Sequence, residues 1–545
     1  MKTKVFVSLF LVLVIGLFFW LSTLGGTMQV SRWAKAARAQ LAGGNVITIY
    51  PTGIAAGEGN DTDTILAAIE QANDGDVILL KAANLKKKPT PWLLRRPHNG
   101  EDVDIVGPTQ TTKYYQDLWF GFPRSKFRNI GVSKGITLRG EVGSDGAPMT
   151  VIKNFETREK WVYYRDFATG VNEDVNFVVS GGKHPKFENL HFKWIWQPLF
   201  AFAPYDAINC KFEGCMEPVA CIDDRWTFPH LMADPNDFSD MVVTNIKDCV
   251  FRDCTTAFYF LGSGILVEGC DFGEFTNDIP GQKDNLGFNS IWDYGVSFNT
   301  WATIWIEAAP GIDPAKLPTQ QQYSLRNVIR NNRIDGIGAP RMLGISHHVF
   351  GGVARNNEVY GNKISNLAGF GFDIYAPSGI SKNDSVSNNI FTRCELPIII
   401  NGSRPPVSNF PLENTVTENT FIDLVNAPQS GFLYFFSPTA VLLYNTQQNK
   451  VFNNDFTQSG LPGWASGTGC VLIDAHAIKN TVTETKFPAG TGICEQILGM
   501  QGNIVSGYNP GMCNMDPARI SQIYDRLSAS MAKMQSLKLK AWGRK

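Results

Sequence analysis

A chain of 545 residues is too long for an ordinary single globular domain unless it grows in one dimension as a repeat array. Apolar residues make up 43% and charged residues 18%, which excludes a disordered chain. The net charge is −1 and the body carries no basic stripe, so a nucleic-acid partner is not expected.

Lys2 and Lys4 precede an apolar run over residues 5–24, about the length that crosses a bilayer. It reads either as a signal peptide or as a retained membrane anchor, with residues 25–44 as linker. Both readings place the body outside the cytoplasm: secreted, periplasmic or anchored facing outward. Ten cysteines in an exported chain suggest disulfides, but the repeat register argues for stacked thiols. A disulfide among Cys221, Cys470, Cys494 and Cys513 stays open.

The segment from Asn60 to Leu80 reads as a capped helix, a Gly turn and a buried strand. A solenoid needs its open end covered, and this helix is expected to cap the N-terminal end. From residue 208 a phrase recurs: apolar, polar, Asn or Cys, then Phe or Ile. It appears as Ile208-Asn-Cys-Lys-Phe212, Ile246-Lys-Asp-Cys-Val-Phe251 and Val267-Glu-Gly-Cys-Asp-Phe272. It continues through Val328–Ile334, Val359–Ile364, Val386–Phe391, Val416–Phe421, Val451–Phe456 and Val482–Phe487. The closing apolar residues step by 21 (Phe251 to Phe272) or by 27 to 35 (Ile334 to Phe487). Larger steps of 39 and 62 mark insertions. Such a period means stacked supersecondary units.

The phrase fits one coil of a parallel β-helix, with apolar residues alternating inward along short strands. Two residues before the closing apolar position stand Cys210, Cys249, Cys270, Asn332, Asn362, Asn389, Asn419, Asn454 and Thr485. An Asn repeated in one column predicts a hydrogen-bonded ladder, because its amide tolerates left-handed turns and bonds its copies in adjacent coils. Cys215, Cys254 and Cys394 form a second column. The expected architecture is all-β: a solenoid over residues 45–515, with insertions at about 86–130, 216–245 and 274–326. Residues 516–545 form a C-terminal amphipathic helix with a basic end.

The cap, the ladder and Lys134-Gly-Ile-Thr-Leu-Arg-Gly140 resemble the pectin-lyase-like right-handed parallel β-helix superfamily, over roughly residues 45–508. That resemblance implies a fold and not one activity. The superfamily includes polysaccharide lyases, glycoside hydrolases, epimerases, tailspikes and surface proteins without catalysis. None of its catalytic phrases stands here: no Trp-Ile-Asp-His, no Gly-His-Gly with paired Asp, no Asp-Pro-His-Asp. Zinc-spaced clusters and phosphate-cradling Gly loops are absent too.

The candidate sites come from chemistry. Asp223, Asp224 and Arg225 follow Val219-Ala-Cys-Ile222 where a strand ends, with His230 beyond. Adjacent carboxylates there suit acid/base work or, with Asp234, a Ca²⁺ ion. Trp226, Trp292 and Trp301 in the insertions suit stacking on sugar rings. A second group is Arg341 with His347 and His348; adjacent strand residues face opposite sides, so one His at most meets a substrate. Several coils, roughly 15–20 Å, separate the two groups. The expected partner is a polysaccharide or cell-surface glycan, handled by a lyase or glycoside hydrolase, or bound by a non-catalytic surface protein.

Overall fold

The computed structural model describes residues 44–53, 61–94, 128–154 and 175–506. Within the last range 180–182, 196–197, 202, 216–217, 223–243, 255–256, 262, 274–303, 309–322, 338–342, 350–352, 377–379, 403–410, 429–438, 462–469, 474–475, 489–490 and 496–501 are outside the description. Residues 5–24 and the expected helix at 516–545 therefore lie outside it. Among the described residues no helix is long and apolar enough to cross a membrane.

Among the described residues, strands of two to seven residues, and two of 14 and 13, stack in register and in parallel into sheets of 14, 21 and 3 strands. In each phrase the first apolar residue belongs to the 14-stranded sheet, and in every phrase but the last the closing Phe or Ile belongs to the 21-stranded one. Thus Ile246 pairs with Val267 and Phe251 with Phe272. Both point inward. The rings of Phe212, Phe251 and Phe272 stack at 4.8 and 4.7 Å, and those of Phe391, Phe421 and Phe456 at 5.4 and 4.4 Å. One apolar core runs from Ile65 to Ile493.

The Asn ladder forms as expected. The side-chain oxygen of Asn362 accepts from both the backbone N–H and the amide of Asn332, each at 3.0 Å. Asn389, Asn419 and Asn454 repeat the pattern. Each amide also donates to a carbonyl of the preceding coil, as Asn389 does to Val359 at 2.9 Å. The cysteines replace that second bond. The Sγ atoms of Cys210, Cys249 and Cys270 meet the carbonyls of Phe187, Ala207 and Ile246 at 3.4 to 3.6 Å. All three are buried and free, as are Cys215, Cys254, Cys394 and Cys470. One expectation is corrected: the ladder residue is not itself left-handed. The residue before it is, as at Asn209, Asp248, Asn331, Asn388 and Asn453 (φ 49 to 56°). Gly fills that position at 269 and 361.

A second ladder lies five residues upstream of the first: Asn327, Asn357, Asp384, Asn414, Asn449, Asn480 and Asn503. Here too a left-handed residue precedes each rung, from Arg326 to Gly502. Two corners of the coil are thus closed by the same device.

The helix Asp61–Gln71 forms, with Ile65, Ala68 and Ile69 in the core. The Lys134 ammonium donates to the carbonyls of Ile69, Glu70 and Ala72 at the helix end, at 2.7–2.8 Å. In the same motif a Cβ at Gly140 would stand 2.2 Å from the Asn189 carbonyl, so close coil packing requires glycine there. Trp92–Leu94, Val219–Ile222, Ile304–Ala308 and Tyr323–Leu325 are strands of the stack, although they carry no phrase.

Candidate functional site

Along the second strand of the 21-stranded sheet, alternation divides the side chains between two faces. Ile345, Phe372, Ile398, Val441 and Val471 form one column, and His347, Ile374, Ile400, Leu443 and Ile473 another. Every aliphatic and aromatic member of both columns lies in the interior core. The residues between them face outward. That middle column includes Ser346, Asp373, Ile399, Leu442 and Leu472. The next outward column includes Tyr375, Asn401 and Tyr444.

This outer face is shielded. Ser346 is 0% exposed, Asp373 5%, Asn401 3% and Tyr444 4%, and Ile399, Leu442 and Leu472 are buried without belonging to the interior core. Tyr375 is half-buried. Shielding strengthens every polar interaction made there, because fewer waters compete. The side-chain oxygen of Asn401 is buried and finds no hydrogen-bond donor among the described residues. Such an orphaned acceptor is costly and is normally answered by water or a ligand.

The outer faces nearer the phrase differ. There Glu213 is held between Lys193, Lys211 and His191, and Asp271 between Arg252 and Arg333. Glu268 lies beside Lys247 and Arg330. The His191 contact, followed by the lysines, holds the Glu213 carboxyl well below the usual range. These charges satisfy one another and are partly solvated, as on an ordinary surface.

The residues expected from sequence fall as follows. Asp223, Asp224, Arg225, Trp226, His230, Asp234, Trp292, Trp301 and Arg341 lie outside the described residues. The strand Val219–Ile222 does end immediately before Asp223, with Ile222 paired to Leu261. His347 is corrected: it is 1% exposed and faces the solenoid interior, with Nδ1 3.5 Å from Asp384 Oδ2. Alternation puts it on the same side as Ile345 and Val349, so no substrate on the outer face meets it. His348 takes the register position beside Tyr375 and Glu307. Ile222 is three register steps from His348, through Leu261 and Glu307, which is roughly 14 Å at the coil spacing. Among the described residues no three His, Cys, Asp or Glu converge as metal ligands.

Sequence reasoning missed Asp373, Ser346, Tyr375 and Asn401. Gly-Phe-Gly-Phe-Asp373-Ile-Tyr375 carries no motif. The available signal was the period-2 alternation of a long strand, which puts Asp373 and Tyr375 on one face and Phe372 and Ile374 on the other.

These sheets and corners define a parallel β-helix protein. No family model matches the chain, and no curated protein matches it. Among solved structures it is similar to the Dettilon tailspike protein gp208, at 10% identity and TM-score 0.42, over 84% of this chain and 70% of that one. It is also similar to DFA-IIIase from Arthrobacter chlorophenolicus A6, at 12% identity and TM-score 0.38, over 80% and 93%. A third likeness is to polygalacturonase from Erwinia carotovora ssp. carotovora, at 11% identity and TM-score 0.34, over 83% and 96%.

Proposed function

We propose that this protein acts outside the cytoplasm on a polysaccharide, as a lyase or glycoside hydrolase, on the outer face that carries Ser346, Asp373, Tyr375 and Asn401. The observation that carries this reading is the buried polar group on an outward-facing strand surface, where the Asn401 oxygen meets no donor among the described residues. A carboxylate, hydroxyls and an amide at coil spacing match the alternating donors and acceptors of a sugar chain. The half-buried ring of Tyr375 offers stacking surface. Cleaving a glycosidic bond, or removing a proton beside a uronic carboxyl, needs a positioned acid or base. Asp373 is assigned that role.

Asp223, Asp224 and Arg225, with Trp226, keep a place as a second proposed contact group. Asp234 and the two neighbouring carboxylates form the proposed Ca²⁺ set. The helix Asp61–Gln71 is read as the N-terminal end cap, and residues 516–545 as the C-terminal helix. Residues 5–24 are read as the export signal or anchor.

The test is a screen of the purified protein on a polysaccharide panel, reading both unsaturated-product absorbance and new reducing ends. Asp373→Asn should lower turnover roughly a hundredfold, the scale of one acid/base group. A second reading, glycan binding without catalysis, is favoured by one fact. Among the described members of the Asp373 column no second carboxylate stands beside it. Retained binding with no products on any glycan would select that reading.

A further inference from the structure

Six of the seven rungs of the second ladder are Asn, and one is Asp384. As a rung, Asp384 uses one oxygen: Oδ1 accepts from the backbone N–H and the amide of Asn357, both at 2.9 Å. The other oxygen stands where the remaining rungs carry an amide donor. In Asn357 and Asn449 that donor reaches a carbonyl of the preceding coil, Ser324 and Pro411 respectively. Asp384 has nothing to donate. Its Oδ2 instead accepts from Ser381 Oγ at 2.9 Å and faces His347 Nδ1 at 3.5 Å across the interior. Asp384 is 2% exposed and His347 1%.

An amide would therefore make a better rung than the carboxylate, and the chain uses one in every other coil of this ladder. A buried carboxylate without a cation is strongly unfavourable. The one coil that carries it is the one that sets an imidazole opposite. We propose that His347 and Asp384 form a buried ion pair in place of one ladder rung, making the stability of this stretch of solenoid depend on pH. The pair lies behind Ser346 and the register position of His348, so it also fixes the strand whose outer side borders Asp373.

Four of the groups beside the pair carry no charge. They are Ile374 on the neighbouring strand, Asn357 and Asn414 on the ladder, and Ser381. Asp373 adjoins Ile374 but belongs to the outer column. Burial raises the Asp384 pKa, and His347 pulls against that rise. A raised carboxyl contributes stability that is full below its unfolded value and falls away as pH rises to its folded value; above that, the ionised Asp384 depends on His347 for its counter-charge.

The experiment compares heat unfolding of the full chain with His347→Gln, Asp384→Asn and the double variant, from about pH 5 to about pH 8. It needs no glycan, so it stands apart from the proposed activity. His347→Gln should lose several degrees in melting temperature, and that loss should largely vanish in the Asp384→Asn background. Asp384→Asn alone should melt no lower than the parent and should show a flatter dependence on pH. If His347→Gln fails to fold, the double variant should fold. An equal loss in both backgrounds, parallel pH profiles, or a double variant that also fails to fold would overturn the ion pair.

Discussion

Asn389 shows what a single ladder residue does. Its oxygen takes two donors from Asn362, and its amide serves Val359 and Asn419. Leucine at this position would orphan buried groups in both adjacent coils, at about 1–3 kcal/mol each. Asn389→Leu should therefore lower the denaturation midpoint clearly; an unchanged midpoint would mean that the position is solvated. Cys210, Cys249 and Cys270 occupy the same column, and burial raises the thiol pKa of Cys210 and Cys249 far above the usual value. Only a thiolate alkylates readily. All three should resist iodoacetamide in the native protein and react fully once it is unfolded, as read by peptide mass. The first ladder was legible in the sequence because its Asn follows the apolar phrase at a fixed offset. The second was hidden although its offset of five residues is just as constant. An apolar residue stands two positions after each of these rungs, as Val359 does after Asn357, but Asp384 interrupts the run of Asn. The buried state of His347 was half legible: strand alternation sends one of the His347–His348 pair inward, but nothing local says which.

The elements differ in how much they announce themselves. The helix Asp61–Gln71 and the phrase strands carry periodic patterns and appear where expected. Strands such as Val219–Ile222 and Ile304–Ala308 do not repeat a phrase. They are separated from their sequence neighbours by unequal lengths of chain, so 216–245 and 274–326 read as insertions from end to end. That is also why Asp373 escaped notice: it sits in a 14-residue strand whose second half belongs to the unmarked part of the coil. The Lys134 motif gains a physical reason from the structure. Its ammonium closes three carbonyls at the end of the helix, where a cation also meets the helix dipole favourably. Lys134→Met should cost about 1 kcal/mol. It should also raise amide exchange in the last turn of the helix while sparing the distant coils, since solenoid units depend chiefly on their neighbours. Uniform loss across all coils would contradict that localisation.

The whole molecule is a stack of coils whose interior is closed by apolar columns and two polar ladders. Among the described residues, its outer surfaces include self-paired ionic faces and a shielded face with a carboxylate, hydroxyls and an amide oxygen that meets no described donor. Composition and repeat length gave access to the stack. They could not identify the working face, because that depends on which of two alternating columns lies outside. Whether this face handles a sugar chain is decided by comparing the purified protein with its Asp373→Asn variant on the same polysaccharide panel. The parent should cleave at least one glycan, and the variant should do so at a roughly hundredfold lower rate with unchanged melting. Cleavage at an undiminished rate in Asp373→Asn, or neither cleavage nor binding by the parent on any glycan, would rule the proposal out.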